Sequence, residues 1–140
     1  MRKGEAVFIH LSAGLVIGSG LVWALMIWLV VPEDPDALVN HPWQPQMQAA
    51  HILAAPFFLF GVGMVWRKHV LFKWRGGEPT RRHSGLQLAL LLPVMVFSGY
   101  FLQVVSGEIS RQLAQIVHYA SSIWWTLVWL RHHLSRREMP

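Results

Sequence analysis

Four long apolar stretches alternate with short polar segments along the chain. They cover residues 7–31, 49–66, 84–105 and 113–130. Each stretch is close to the length that an α-helix needs to cross the roughly 30 Å hydrocarbon core of a bilayer. The pattern predicts an all-α integral membrane protein in which residues 1–140 form a single four-helix bundle.

Two of the apolar stretches contain a proline, Pro56 in the second and Pro93 in the third. Proline usually interrupts a helix in a soluble protein, because it lacks a backbone N–H. Membrane helices tolerate it, since neighbouring groups satisfy the carbonyl that it leaves without a donor. We therefore expect kinks and not helix ends at these positions. No internal repeat is apparent among the four stretches.

Composition and charge agree with a membrane protein. Hydrophobic residues make up 54% of the chain and charged residues only 14%, which is too apolar for an ordinary soluble domain. The first connection is acidic, with Glu33, Asp34 and Asp36. Basic residues occupy the N-terminus, the second connection and the tail: Arg2, Lys3, Arg67, Lys68, Lys73, Arg75, Arg81, Arg82, Arg131, Arg136 and Arg137. By the positive-inside rule both termini are cytoplasmic, and this placement argues against a nucleic-acid partner.

Cysteine is absent from the chain. Disulfides, thiolate-bound zinc, iron–sulfur clusters and a covalently attached c-type haem are therefore excluded. Any cofactor must be bound by other side chains.

Histidines are the most informative polar residues, because an ionisable group inside a membrane span is costly and usually functional. His51 and His118 lie near the outer ends of the second and fourth stretches. His10 lies near the cytoplasmic end of the first stretch, and His132 and His133 lie at that end of the fourth. The fourteen positions from His118 to His132 correspond to about 21 Å and nearly a whole number of helical turns. These two imidazoles should therefore project from one helix face at opposite depths.

Two pairs of histidines at two depths match the requirement of two haem irons, each with an imidazole on either side of the porphyrin. The sequence offers His51 with His118, and His10 with either His132 or His133. For one intramembrane histidine a helix-packing hydrogen bond would be the simpler explanation, but four at matched depths favour haem. Two alternatives remain: a non-redox membrane anchor or assembly subunit, and a transporter that binds zinc or copper through these histidines.

Glycines in the first three stretches have two possible roles. They could admit a flat porphyrin, or they could simply let helices approach closely. The residues are Gly14, Gly18, Gly20, Gly61, Gly63 and Gly99.

Three tryptophans deep in the fourth stretch, Trp124, Trp125 and Trp129, face either a cofactor or lipid.

With these features the chain resembles the cytochrome b (gamma) subunit of membrane-bound formate dehydrogenases. That family belongs to the bacterial cytochrome b561 and nickel–iron hydrogenase cytochrome b superfamily. The similarity extends over nearly the whole chain, and it includes residues 10–14, His-Leu-Ser-Ala-Gly, and the pair Ser98-Gly99. In the family the first and second helices provide one haem ligand each, and the fourth provides two that are separated by thirteen residues.

The resemblance implies two b-type haems in a bacterial inner membrane. His51 and His118 would bind the periplasm-side haem, and His10 and His132 the cytoplasm-side haem, so the family spacing favours His132 over His133. The expected function is electron transfer between a periplasm-side redox partner, such as an iron–sulfur subunit, and the quinone pool of a respiratory chain. No catalytic residue is predicted, and the direction of electron flow stays open.

The resemblance also implies quinone chemistry beside the cytoplasm-side haem. The family carries an Asn-x-Gly-Gln element there, whereas this chain has Arg-Gly-Gly-Glu at residues 75–78, so only the glycine matches. Gly77, Glu78 and His83 are the candidate residues near the quinone. Besides quinone and the redox partner, membrane lipid and further subunits of a larger complex are the expected surroundings of the chain.

Overall fold

A computed structural model describes residues 2–76 and 79–134 of the chain. Gly77 and Glu78, two of the predicted quinone-site residues, lie outside the described residues, as do Arg136 and Arg137 of the basic tail. The regular structure consists of α1 (Lys3–Trp28), α2 (Gln44–Val65), a π-helical segment (Trp66–Leu71), α3 (Phe72–Gly76), α4 (Pro79–Val104) and α5 (Glu108–Leu134). The all-α prediction is confirmed for the described part of the chain.

Three of the helices are long and apolar enough to cross a membrane: α1, α2 and the Arg82–Val104 part of α4. Helix α5 has 27 residues, which corresponds to about 40 Å, but its polar residues make it less apolar than the other three. The prediction of a membrane protein is thus supported by three candidate spans. The fourth span, the four-helix bundle and the cytoplasmic position of the termini stay predictions.

Helix α1 ends at Trp28, before the apolar stretch itself ends at Val31. Two features near its end account for this. The side-chain amide of Asn40 donates a hydrogen bond of 2.7 Å to the carbonyl oxygen of Ile27, which satisfies one of the last carbonyls of the helix. In addition, Pro32 disfavours helical backbone at the residue before it. The chain leaves the helix here and forms the acidic connection.

The second connection, between the second and third apolar stretches, was expected to be a loop because of its basic residues. The structure shows that most of it is helical. Helix α2 passes directly into the π-helical segment and then into α3, so residues 44–76 are helical throughout. The basic side chains Arg67, Lys73, Arg75 and Arg82 are exposed. The positive charge therefore lies on helical turns that follow α2 and on the first turns of α4. Pro56 and Pro93 lie inside α2 and α4, which continue through them.

Contacts along the chain divide it into two compact units, Met1–His69 and Val70–Pro140. Unit 1 is an antiparallel hairpin of α1 and α2. The two helices approach closely at Gly61, where an added Cβ would lie 3.2 Å from the Phe8 ring and 3.4 Å from the Cα of Ile9. Ser12 and Ala13 of α1 are buried in this hairpin.

Unit 2 is an antiparallel hairpin of α4 and α5. Ala114, Ser121, Trp125 and Val128 form the buried face of α5. The indole Nε1 of Trp125 donates a hydrogen bond of 3.2 Å to the carbonyl oxygen of Leu88 on α4. Trp125 is 6% exposed and its neighbour Trp124 is 56% exposed. Of the two, only Trp125 belongs to the hairpin core.

Candidate functional site

His51 projects from α2 onto α1 in unit 1. Its Nδ1 lies 3.0 Å from the carbonyl oxygen of Val16 and 3.4 Å from the hydroxyl oxygen of Ser19. A carbonyl oxygen can only accept a hydrogen bond, so Nδ1 carries the proton. In the neutral ring the lone pair is then on Nε2. A ligating histidine commonly has this arrangement, with one nitrogen donating to a carbonyl and the other binding the metal.

Gly20 lies directly beneath the His51 ring. A Cβ at this position would be 2.7 Å from Cε1 and 2.9 Å from Nδ1 of the imidazole. Contacts this short lie well inside the optimal separation of carbon atoms. Only glycine at position 20 therefore leaves room for the ring in its observed position.

His118 has the same surroundings in unit 2. Its Nδ1 lies 3.0 Å from the carbonyl oxygen of Met95 and 3.3 Å from the hydroxyl oxygen of Ser98. A Cβ at Gly99 would be 2.9 Å from Cε1 and 3.2 Å from Nδ1 of the ring. The carbonyl again requires that Nδ1 donates. His118 therefore has the same tautomer as His51 when neutral.

We call this arrangement an imidazole cradle: a carbonyl, a serine three residues later and a glycine after the serine. Unit 1 has it at Val16, Ser19 and Gly20, and unit 2 at Met95, Ser98 and Gly99. The sequence comparison of the four stretches revealed no repeat, but the structure shows this short one. Its sequence signal is only a Ser-Gly pair, Ser19-Gly20 or Ser98-Gly99, which does not by itself show that a histidine lies against it.

Both cradle serines have committed their hydroxyl protons within their own helix. Ser19 donates to the carbonyl oxygen of Leu15 at 2.6 Å, and Ser98 donates to that of Val94 at 2.7 Å. Each hydroxyl oxygen can therefore act as a second acceptor for the histidine Nδ1–H. The proton is directed at two acceptors in each unit, which restricts the rotation of the ring.

His132 also reaches α4 from α5. Its Nδ1 lies 2.8 Å from the hydroxyl oxygen of Ser84. The same spacing of fourteen residues separates His118 from His132 and Ser84 from Ser98, which corresponds to about 21 Å on each helix. Both histidines thus meet α4 from one face of α5. A hydroxyl can donate or accept, so Ser84 does not determine which nitrogen of His132 carries the proton.

His133, the alternative to His132, is bound within its own helix. Its Nδ1 lies 3.0 Å from the carbonyl oxygen of Trp129, and the two ring centroids are 4.5 Å apart. The Trp129 ring in turn stacks on Trp125 at 6.5 Å with an interplanar angle of 18°. The two candidates therefore differ in their partners: His132 contacts α4, and His133 contacts its own helix.

Two other predicted residues lie near the ends of helices. His10 is half-buried on α1, next to the close approach of Gly61 to Ile9. His83 is exposed in the first turns of α4 and directly precedes Ser84, the partner of His132. Of the three candidate quinone residues, His83 is the one within the described residues.

The structure distinguishes two groups among the predicted porphyrin glycines. Gly20 and Gly99 lie beneath imidazoles, and Gly61 lies at a helix contact. At the remaining three a Cβ would meet nothing within 4 Å: Gly14, Gly18 and Gly63. The first group is explained by packing inside each hairpin, so the second group contains the remaining candidates for a porphyrin contact.

Within the described residues, no group of three or more histidine, aspartate or glutamate side chains is arranged to hold a metal ion. A haem iron needs only two axial side chains, so the histidines can suit haem without such a group. The chain matches no known protein-family model, no curated protein and no solved structure.

Proposed function

We propose that the chain is a di-haem b cytochrome of a bacterial inner membrane. It would transfer electrons between a periplasm-side redox partner and the quinone pool, as a subunit of a respiratory oxidoreductase such as a formate dehydrogenase. The observation that carries the proposal is the pair of imidazole cradles. They hold His51 and His118 as tautomers whose Nε2 has the lone pair, which is the form that binds a haem iron.

In this proposal His51 and His118 are the axial ligands of the periplasm-side haem. His10 and His132 are the ligands of the cytoplasm-side haem, and His133 is the alternative to His132. A bound haem supplies one-electron exchange between ferrous and ferric iron. The chain contributes the ligands, their orientation and an apolar surrounding. The roughly 21 Å between His118 and His132 along α5 separates the two redox centres.

The partners follow from what the chain lacks. It contains no cysteine and therefore no iron–sulfur ligand set. Electrons would come from, or pass to, a partner subunit with iron–sulfur clusters at the periplasmic face. The quinone would react near the cytoplasm-side haem, where Gly77, Glu78 and His83 are the candidate residues. The exposed basic side chains that follow α2 support a cytoplasmic position for this end.

A second function, a non-redox anchor or assembly subunit, is favoured by the same hydrogen bonds. The bonds from His51 to Val16 and from His118 to Met95 tie the helices of each hairpin together, as packing histidines do in membrane proteins. The two functions differ in a simple property. The cytochrome binds haem and is coloured, and the anchor is colourless. A zinc or copper transporter gains no support from the described residues.

Quinone reactivity tests the functional half of the proposal. The purified chain is reduced with dithionite in proteoliposomes, the excess is removed, and decyl-ubiquinone or a menaquinone analogue is added. We expect rapid reoxidation of the haems in the wild type and its loss in His132→Ala. His41→Ala is the control, because His41 lies in the acidic connection and its Nδ1 accepts a hydrogen bond of 3.1 Å from the nearby backbone N–H of Trp43. Haems that stay reduced after addition of either quinone would contradict quinone reactivity.

A further inference from the structure

We infer that the two imidazole cradles are the positioning elements of the periplasm-side haem. Each cradle selects the Nδ1–H tautomer of its own histidine, His51 or His118, and fixes the ring. This inference rests on the proposed function. It adds residues that bind no cofactor themselves, chiefly Gly20 and Gly99.

The first step concerns the tautomer. An isolated neutral imidazole can carry its proton on either nitrogen. A carbonyl at 3.0 Å from Nδ1 allows one of them, because the opposite tautomer would place two acceptors against each other. In metal sites such a bond to the remote nitrogen both orients the ligand and raises its basicity. The cradle therefore fixes the tautomer and the orientation of each ring independently of a bound metal.

The second step concerns equivalence. The carbonyl distances are 3.0 Å in both cradles, and the serine distances are 3.4 and 3.3 Å. Both serines donate to the carbonyl four residues earlier. Such bonds raise the basicity of a ligating imidazole, so the two cradles should act on His51 and His118 in the same direction. At His132 the Nδ1 lies 2.8 Å from the hydroxyl oxygen of Ser84 on α4.

The third step concerns the glycines. An alanine at position 20 or 99 would bring its methyl group within 3 Å of an imidazole carbon. The ring cannot yield without changing the Nδ1 bond that fixes it, so it must turn away from its present direction. Gly4 on α1 and Gly85 on α4 offer matched controls, since a Cβ at either position meets nothing within 4 Å.

The first experiment measures haem content in the full-length chain purified in detergent, for Gly20→Ala, Gly99→Ala and the double variant. We expect each single variant to lose one of two haems and the double variant to lose no more, because the proposed function assigns His51 and His118 to one haem. Gly4→Ala and Gly85→Ala should keep both haems. The retained cytoplasm-side haem reports that the variants are folded. Cradle variants that match the controls, or a double variant without any haem, would overturn the inference.

The second experiment does not depend on haem. Nitrogen-15 NMR of the histidine-labelled, haem-free chain in detergent reports which ring nitrogen carries the proton. His51→Asn and His118→Asn assign the signals. We expect the Nδ1–H tautomer at both residues in the wild type, and a mixture of tautomers at His51 in Gly20→Ala. An Nε2–H tautomer at either wild-type residue would overturn the inference.

These experiments test the proposed cytochrome function and the proposed role of the cradles separately. A wild-type chain that binds no haem would contradict the proposed cytochrome, whatever the cradles do. A wild-type chain with two haems whose cradle variants behave as the controls would leave the cytochrome intact and refute the cradles. The two proposals can therefore fail independently.

Discussion

His118 of α5 donates a hydrogen bond from Nδ1 to the carbonyl oxygen of Met95 on α4, at 3.0 Å. The same relation joins His51 to Val16 in the other hairpin. Each bond gives the imidazole a defined orientation. A histidine that serves only helix packing could make this hydrogen bond. A histidine that binds a metal almost always makes one like it through its other ring nitrogen. The predictions below distinguish these roles.

Removing single ligands should remove single haems. His118→Ala should lose the periplasm-side haem and keep the other, and His132→Ala should do the reverse. The reason is that the proposed function gives each iron two histidine ligands of its own. Haem content and reduced spectra of the purified variants measure this, with His133→Ala tested beside His132→Ala. Unchanged haem content in all three variants would refute the ligand assignment.

Ser84 should tune the cytoplasm-side haem through His132. Ser84→Ala removes the hydroxyl that lies 2.8 Å from Nδ1 of His132. Loss of such a remote partner typically weakens metal binding about 10–100-fold. We therefore expect weaker retention of that haem during haem titration, with the periplasm-side haem unaffected. Ser110→Ala, at an exposed position of α5, is the control and should bind both haems normally. Equal affinities in the two variants would remove Ser84 from the account.

Larger side chains at Gly14 and Gly18 should show whether a porphyrin lies against this face of α1. A Cβ at Gly14 or Gly18 meets nothing within 4 Å, so alanine there costs the hairpin little and improves helix propensity by about 1 kcal/mol. If a porphyrin edge occupies this face, Gly14→Leu or Gly18→Leu should reduce haem content while the apo chain keeps its helicity. Circular dichroism and haem quantification check both parts. Full haem content in both leucine variants would place the porphyrin elsewhere.

The absence of native cysteine makes topology directly measurable. Asp36→Cys lies in the acidic connection and Arg75→Cys in the basic helical segment after α2, and both positions are exposed. A membrane-impermeant maleimide should label Asp36→Cys in intact spheroplasts and Arg75→Cys only after permeabilisation. Labelling of both from the same side, or in the reverse order, would contradict the predicted orientation.

Trp125 should stabilise the α4–α5 hairpin far more than its neighbour Trp124. Trp125→Ala empties a buried position and should cost about 3–5 kcal/mol. Trp125→Phe loses mainly the hydrogen bond to Leu88 and should cost about 1 kcal/mol. Trp124→Ala is the control and should lie within about 0.5 kcal/mol of the wild type. Denaturant unfolding of the detergent-solubilised chain measures all three. Equal costs for Trp124→Ala and Trp125→Ala would contradict the described packing.

Sequence reasoning predicted the broad features that depend on periodicity and length. The all-α class follows from long apolar stretches, and the approach of His118 and His132 to one neighbouring helix follows from their fourteen-residue spacing. Both are properties of a single helix, so they can be derived without knowing which helices touch.

Other features depend on contacts between helices and could not be derived in this way. Gly20 and Gly99 looked like possible porphyrin contacts, but each lies beneath an imidazole of its own hairpin. Nothing at position 20 reveals that His51 is its neighbour. The helical second connection was also missed, because its basic residues resemble those of a cytoplasmic loop. The early end of α1 depends on Asn40, which is distant in sequence from Ile27.

The central claim is that this chain binds two haems through its histidines. The most direct test is a dithionite-reduced minus oxidised spectrum with pyridine haemochrome quantification, on the full-length chain purified in detergent after expression with ample haem. The account predicts b-type spectra and two haems per chain. A colourless protein without haem would contradict it and would favour the membrane anchor.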